Sequence, residues 1–229
     1  MLSVVIPTLD AGRDLPATLA ALVPGAVSGL IREVIVADGS SCDPTVRIAE
    51  AAGATVIRAP RGRGTQLAAG AAAARGDWLL FLHADTVLEP GWETEVAGFI
   101  DQASAIGYEG PAAACFRLRL ADASLGARII ERGVALRTAW LGLPYGDQGL
   151  VISRQCYDRL GGFAPLPLME DVDLVRRLGR RVAMLRHAAV TDAGRYRRDG
   201  YLLRPLRNWT CLTLYFLKVP PHVLLRLYG

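Results

Sequence analysis

The stretch DWLLFLHADT, Asp77 to Thr86, decides how the chain is read. Trp78 to Leu82 is an unbroken apolar run, the pattern of a short strand buried on both faces. It ends in two ionisable residues, His83 and Asp85, separated by Ala84. In a pleated strand alternate side chains share a face, so His83 and Asp85 are expected side by side with Ala84 turned away. An acidic residue delivered at a strand's carboxyl end suits a hard divalent cation, which takes carboxylate oxygen and keeps phosphates and waters as its other ligands.

Working outward from this strand, the preceding residues alternate between two patterns. SVVIP (3–7) is a short buried strand, followed by the loop TLDAGRD (8–14). Leu15, Leu19 and Leu22 then fall on one helical face, with Pro16 in the first turn and Pro24-Gly25 as the stop. EVIVAD (33–38) is a β-branched strand. SSCDPT (40–45) opens a helix, with Asp43 as N-cap and Pro44 at its first position, and Gly53 closes it. ATVIRA (54–59) is a third strand. RGRGTQ (61–66) is a loop leading into an alanine-rich helix that ends near Gly76.

Strand and helix in alternation predict an α/β fold: a mostly parallel twisted sheet flanked by helices. Functional groups in such sheets gather beyond the carboxyl ends of the strands. Asp10, Asp38, Arg61, Arg63, His83 and Asp85 all stand there.

Beyond Thr86 the pattern changes. CFRLRLAD (115–122) alternates apolar and basic residues, as a strand with one wet face does. Residues 124–140 are helical in pattern. GLPYGDQG (142–149) is a loop, LVIS (150–153) a strand, and RQCYDRLGGF (154–163) a short helix with a glycine stop. PLPLMEDVDLVRRLGRR (165–181) places Glu170 and Asp171 where a proline-bounded loop becomes a helix. RVAMLRHAAV (181–190) is a strand and DAGRYRRDG (192–200) a basic loop. Tyr201 to Tyr228 forms apolar helices broken at Pro220-Pro221, with arginines interleaved. There is no internal repeat and no linker, so residues 1–229 are expected to be one domain.

Composition narrows the function. Hydrophobic residues make up 52% of the 229 and charged residues 21%, which describes a folded protein. The net charge of +4 is too small and too dispersed for a nucleic-acid binder. It is compatible with anionic small molecules, with phospholipid, or with no particular partner. Cys42, Cys115, Cys156 and Cys211 lie far apart with no CxxC pair, so free thiols are expected rather than a zinc site. The start MLSVVIPTLD enters a strand without a basic leader, and no run reaches the roughly 18 apolar residues that span a bilayer. A cytoplasmic protein, at most peripheral to a membrane, is expected.

Four motifs occur in order and at fixed spacing: SVVIPTLD (3–10), EVIVADGSSCDPT (33–45), GDWLLFLHADT (76–86) and LMEDVDLVRRL (168–178). Together they resemble the family 2 glycosyltransferases of the GT-A fold, the nucleotide-diphospho-sugar transferase fold. The LHADT form, the YGDQG loop and the tail LYFLKVPPHVLLRLYG resemble a subgroup described as arsenosugar-biosynthesis or radical-SAM-associated glycosyltransferases. The resemblance implies a nucleotide-sugar-binding part over 1–110, an acceptor and catalytic part over 111–199, and a helical tail over 200–229.

The resemblance also implies roles. Pro7, Thr8 and Asp10 would border the nucleotide, with Gly39, Arg63, Gln66 and Ala84 beside the donor. Asp38 would hydrogen-bond the donor's base, usually uracil. His83-Ala84-Asp85 occupies the place of the family's DxD motif, so Asp85 would hold Mn²⁺ or Mg²⁺ against the diphosphate. Asp171 would be the general base, and Glu170 would orient it or contact the acceptor. Separately from the resemblance, Asp147 and Gln148 sit in a glycine-flanked loop and are read either as contacting the acceptor, a small molecule or a lipid-linked one, or as a plain turn.

Two departures stand out. His83 replaces the first acid of DxD, where it either ligates the ion or hydrogen-bonds the ribose. Ala68 replaces an asparagine frequent near the donor. Arg195 and Arg197 are read either as phosphate-binding or as a solvated face. The apolar tail either packs on the core, forms a homodimer or meets a membrane surface.

The reaction implied is metal-dependent, inverting transfer of a sugar from a nucleoside diphosphate, with UDP expected, to an acceptor hydroxyl. A nucleotidyltransferase of similar fold would want a lysine in a glycine-rich loop after the first strand, which PTLDAGRD lacks. A non-catalytic nucleotide-sugar-binding protein would be expected to lack Asp85 or the Glu170-Asp171 pair.

Overall fold

A computed structural model of the chain describes residues 1–106, 112–179 and 181–228. Eight strands form one sheet: β1 (Leu2–Thr8), β2 (Ile31–Asp38), β3 (Thr55–Arg58), β4 (Trp78–Phe81), β5 (Thr86–Leu88), β6 (Ala113–Leu120), β7 (Leu150–Ser153) and β8 (Val182–Thr191). Their order is β3-β2-β1-β4-β7-β6-β8-β5. The β1–β2, β2–β3, β1–β4 and β6–β8 pairs are parallel. β7 runs against β4 and β6, and β5 runs against β8. The sheet is therefore mixed, with six strands pointing one way and β5 and β7 the other.

Ten helices accompany it among the described residues: α1 (Leu15–Val27), α2 (Thr45–Ala51), α3 (Arg63–Ala73), α4 (Trp92–Ile106), α5 (Leu125–Leu141), α6 (Arg154–Arg159), α7 (Glu170–Leu178), α8 (Gly194–Asp199), α9 (Leu203–Phe216) and α10 (Pro221–Tyr228). The two-residue period of β1 divides the core. Leu2, Val4 and Ile6 pack with Leu15, Leu19 and Leu22 of α1 and with Trp92, Val96 and Phe99 of α4. Val5 points the other way, among Leu67 and Ala71 of α3 and Leu174 and Leu178 of α7. That second layer matters most, because it brings the first turns of α3 and α7 together over the carboxyl ends of β1 and β4.

Several elements differ from the sequence reading. β4 ends at Phe81 instead of running to Asp85. Leu82 N still bonds Val5 O of β1 at 3.1 Å, but Thr86 N then folds back to His83 O at 3.3 Å. Residues 83–85 are thus a turn into the oppositely directed β5, and the pleat argument does not place their side chains.

α1 continues through Pro24 to Val27. The extra turn seats Gly25 against the indole of Trp92 from α4, where a Cβ would come within 2.9 Å. Sequence reading had left α4 unassigned. The basic loop 192–200 contains the short helix α8, held by Tyr196 stacking on Tyr201 at 6.0 Å.

α2 starts at Thr45, one residue later than expected. Asp43 still caps it by accepting from Thr45 N at 3.0 Å, and it reaches Gly12 N at 2.8 Å. The expected division near 110 and 111 falls outside the described residues. No helix among those described is long and apolar enough to cross a membrane.

Candidate active site

Two cavities meet at the carboxyl edge of the parallel strands. The larger, about 460 Å³, lies beyond β1 and beside the first turn of α3. Thr8, Asp10, Arg61, Gln66 and Ala84 line it, with Pro7 at its edge. Its floor is built by hydrogen bonds. The Gln66 amide donates to Thr8 O at 2.7 Å and to Ala37 O at 2.8 Å, stitching the ends of β1 and β2 to α3. Asp10 sits at φ +50. Its carboxylate accepts from Cys42 N at 2.8 Å, while its own N–H donates to Ser41 Oγ at 2.8 Å.

Asp38 lies beneath this floor, not on it. It is 2% exposed, and its two oxygens accept from Thr8 Oγ1 (3.1 Å), Ser41 Oγ (2.5 Å), Ser40 N (3.0 Å) and Ser41 N (3.0 Å). Burial pushes its pKa up, but these hydrogen bonds outweigh burial and hold the carboxyl below its ordinary value. Here its carboxylate is spent on the loop after β2, where Ser40 is held at φ +74. Gly39 likewise faces the Gln66 amide, a Cβ there coming within 3.0 Å of Gln66 Nε2.

The second cavity, about 110 Å³, lies under the loop before β7 and the start of α7. Arg63, His83 and Asp85 border both cavities. Asp171 and Asp147 border the second only. Tyr145, Tyr196, Arg204 and Asn208 complete its wall.

The first turn of α7 delivers the acid pair abruptly, because Met169 just before it is left-handed at φ +64. A non-glycine residue there is strained and held by its surroundings. Met169 is buried among Leu168, Val172 and Leu212. Asp171 Oδ2 accepts from Gly146 N at 2.6 Å and Oδ1 from Val172 N at 2.8 Å. Gly146 leaves room for this. A Cβ on it would stand 2.6 Å from His83 Nε2 and 3.3 Å from Asp171 Oδ2.

Glu170 turns away from the second cavity. It is 1% exposed and its Oε1 lies 3.5 Å from Arg63 Nε. Burial, then the charge of Asp171, pushes its pKa up to about 7, with Arg63 opposing. In this position it backs Arg63.

The acceptor pair divides. Asp147 reaches the cavity, and burial, reinforced by the charges of Asp171 and Asp85, pushes its pKa up to about 6 against Arg137. Gln148 is fully buried and is a brace. Its Nε2 donates to Phe116 O at 3.0 Å, and its Oε1 accepts from Thr138 Oγ1 at 3.1 Å and Tyr145 N at 3.3 Å.

Arg197 pairs with Asp192 at 3.2 Å and is more than half exposed; it borders neither cavity, so its phosphate reading is corrected to the solvated one. The side chain of Arg195 lies outside the described residues. Tyr196, between them, borders the second cavity. Tyr145, Tyr196, Arg204 and Asn208 escaped sequence reading because they sit on loops and helices with no motif spacing. The glycines of YGDQG were the one signal that Tyr145 offered.

The site fits a hard cation at Asp85. The charges of Asp171 and Asp85 are close enough to Asp147 to help raise its carboxyl, and Asp147 Oδ1 is buried without a hydrogen-bond partner among the described residues. No cage of three or more ligating side chains exists among those residues. A cation held by one or two protein groups and substrate phosphates needs none.

The glycosyl transferase family 2 model matches residues 3–120, and no curated protein matches the sequence. Among solved structures, S. aureus TarS (residues 1–349) superposes with a TM-score of 0.64 at 17% identity, over 84% of this chain and 60% of that one. Glucosyl-3-phosphoglycerate synthase from Mycobacterium tuberculosis, in complex with Mn²⁺, UDP-glucose and phosphoglyceric acid, gives 0.59 at 25% identity over 82% and 71%. The chain thus spans about 60% of the TarS segment's length.

Proposed function

The chain belongs to glycosyl transferase family 2 and has the GT-A fold, and from that premise we propose that it moves a sugar from a nucleoside-diphosphate donor, UDP-linked, to an acceptor hydroxyl with inversion. The observation that carries this reading is the junction of the two cavities: Arg63, His83 and Asp85 border both, while Asp171 borders only the second. The first cavity takes the nucleotide, the junction its diphosphate, and the second the hydroxyl.

Asp85, with His83 beside it, would hold the Mn²⁺ or Mg²⁺ ion, which when bound lends positive charge to the diphosphate oxygens. Arg63, backed by Glu170, adds a guanidinium at the same junction. Asp171 takes the hydroxyl proton as the new C–O bond forms. The bond from the anomeric carbon to the diphosphate breaks, and the diphosphate leaves with its electron pair. Two backbone N–H groups hold the Asp171 carboxylate in place, and a base so positioned contributes about 10²–10⁴ in rate.

Asp147 Oδ1 and Asn208 Oδ1 are buried acceptors without donors among the described residues, which suits an acceptor that presents several hydroxyls. The glucosyl-3-phosphoglycerate synthase complex, with UDP-glucose, Mn²⁺ and a small acid together, supports the same division of labour by analogy. The narrower subgroup likeness of LHADT and YGDQG remains part of this proposal.

The test is thermal unfolding with UDP, GDP, CDP or dTDP. Near-saturating UDP with Mn²⁺ is expected to raise Tm by roughly 5–10 °C. Asp85→Ala should lose the Mn²⁺-dependent part. Asp171→Asn should keep the shift yet lose transfer across an acceptor panel. A chain that no nucleoside diphosphate stabilises, or an Asp85→Ala protein with the full Mn²⁺-dependent shift, overturns the reading.

A further inference from the structure

Helix α5 reverses the usual order of a surface helix. Its inner side is anchored by polar groups. Arg137 Nε donates to Leu143 O at 2.9 Å and its guanidinium lies 3.4 Å over the Tyr145 ring, while Thr138 Oγ1 donates to Gln148 Oε1 at 3.1 Å. Its outer side is apolar. Leu125 is 83% exposed, Ile129 69%, Leu136 55% and Trp140 72%. At about 100° per residue these four fall within about 60° of arc, so they form one stripe down a single helix. Arg132 is the one charged residue of α5 on that arc.

The spacing of the stripe is the same read from either end. Leu125 and Trp140 stand equally far from the Arg132–Gly133 peptide, and so do Ile129 and Leu136. Such a stripe is complementary to itself. An antiparallel pair with its two-fold axis at that peptide sets Leu125 of one copy on Trp140 of the other, and Ile129 on Leu136. The centre is open to close approach, since a Cβ on Gly133 would meet nothing within 4 Å. The four side chains expose roughly 600 Å² per copy, so covering both sets removes about 1,200 Å², the lower bound of a specific, stable interface.

We propose that α5 is the contact of a homodimer, in which two copies pair this helix antiparallel about Gly133. A bilayer is the poorer occupant. An interfacial helix sets free basic residues beside its apolar side, and here the flanking arginines are engaged: Arg128 pairs with Glu131 at 2.6 Å, and Arg137 is bound to the loop before β7. A partner of a different kind has no need of a two-fold pattern. Arg132 meets its own counterpart at one edge of the seam, with its stem along the stripe and its head in water. The pairing also bears on the site. The loop that α5 anchors includes Gly146, whose N–H holds Asp171, so the dimer braces the wall of the second cavity from behind.

The experiment is sedimentation velocity of the full chain from about 1 to about 100 µM, the range in which a small apolar interface associates. It needs no turnover, so its failure is distinct from failure of the transferase reading. A monomer–dimer equilibrium is expected. Because the only charge at the centre is like facing like, association should strengthen as salt rises from about 0.1 M to about 1 M. Ile129→Glu combined with Leu136→Glu should weaken association by about tenfold or more while keeping the circular dichroism of the folded chain. Should that pair misfold, Leu125→Glu with Trp140→Glu at the ends of the stripe should give the same loss.

Cross-linking reads the register. Gly133→Cys should be joined to a second copy by a short bismaleimide. Gly98→Cys on α4, equally open, and the wild type with its exposed Cys42 give the background. A monomer at every concentration overturns the proposal. So does a dimer that the α5 variants leave intact, or one in which Gly133→Cys cross-links no better than Gly98→Cys. Co-sedimentation with phosphatidylglycerol vesicles that the same α5 variants abolish overturns it too, since that assigns the stripe to lipid.

Discussion

Asp38 shows what a single residue type conceals. In the sequence it stands at the end of a strand beside a glycine, where both a turn and a ligand contact are open readings. The four hydrogen bonds it accepts select the turn. Replacing it with alanine strands the buried Thr8 hydroxyl, the half-buried Ser41 hydroxyl and two backbone N–H groups. Asp38→Ala is expected to cost about 2–4 kcal/mol, read as a lowered midpoint in urea with an unchanged slope. A loss under about 0.5 kcal/mol would mean that water replaces the carboxylate without strain. Asp85 and Asp171 stand out in the sequence for a different reason: Asp85 lies in the turn between β4 and β5 and Asp171 in the first turn of α7, and both border the second cavity. The orientations of Glu170 and Gln148 were not legible, because polarity in a motif says nothing about which way a side chain turns. Arg63 and the loop before β7 settle that, and neither is local in sequence.

The elements up to Asp85 were legible because each strand is short, apolar and bounded by proline or glycine, and the helices repeat at short intervals. Legibility ends where packing overrides pattern. α4 begins with Trp92 and two glutamates and carries its buried residues on one stripe; Pro90-Gly91 just before it is a start signal that the strand-and-motif reading passes over. α8 owes its helix to the stacking of Tyr196 on Tyr201, and α1 outlasts Pro24 because Gly25 meets Trp92. Glycines within helices give a test whose sign depends on packing. A Cβ on Gly70 of α3 would collide with Val5 Cγ1 of β1, whereas one on Gly98 of α4 meets nothing within 4 Å. Alanine adds about 0.5–1 kcal/mol to an exposed helix interior, so Gly98→Ala should stabilise by that amount. Gly70→Ala should lose about 1–3 kcal/mol to overpacking despite the same propensity gain. Equal effects in denaturant titrations would show that α3 shifts freely on the sheet, and the fixed position of Arg63 would no longer follow.

For the whole molecule, the buried site makes stability depend on pH in a direction opposite to that of most carboxylates. Asp38, Glu33, Glu89 and Glu95 are held below their ordinary values. Their contribution is present above about pH 4 and is lost as pH falls through the folded values. Glu170 and Asp147 are raised to about 7 and about 6, burial being the largest cause for both. The folded chain keeps protons there that the unfolded chain releases near pH 4–4.5, so the folded state binds more protons in between and stability falls as pH climbs. Once Glu170 has ionised in the folded state its full cost is present, on the order of 3 kcal/mol. Metal-free protein is therefore expected to be most stable near pH 5 and to lose roughly 5–10 °C in Tm by pH 8 through Glu170 alone, with Asp147 adding to the loss. Glu170→Gln keeps the shape and an oxygen facing Arg63 but removes the charge. Its Tm should match wild type near pH 5, exceed it by several degrees at pH 8, and follow a flatter slope between. Parallel curves for the two proteins would place the titrating group elsewhere. In that case the raised carboxyl behind Arg63 could not be the cost the fold bears for bringing three acids to one junction, and the reading of that junction as a seat for positive charge would lose its energetic support.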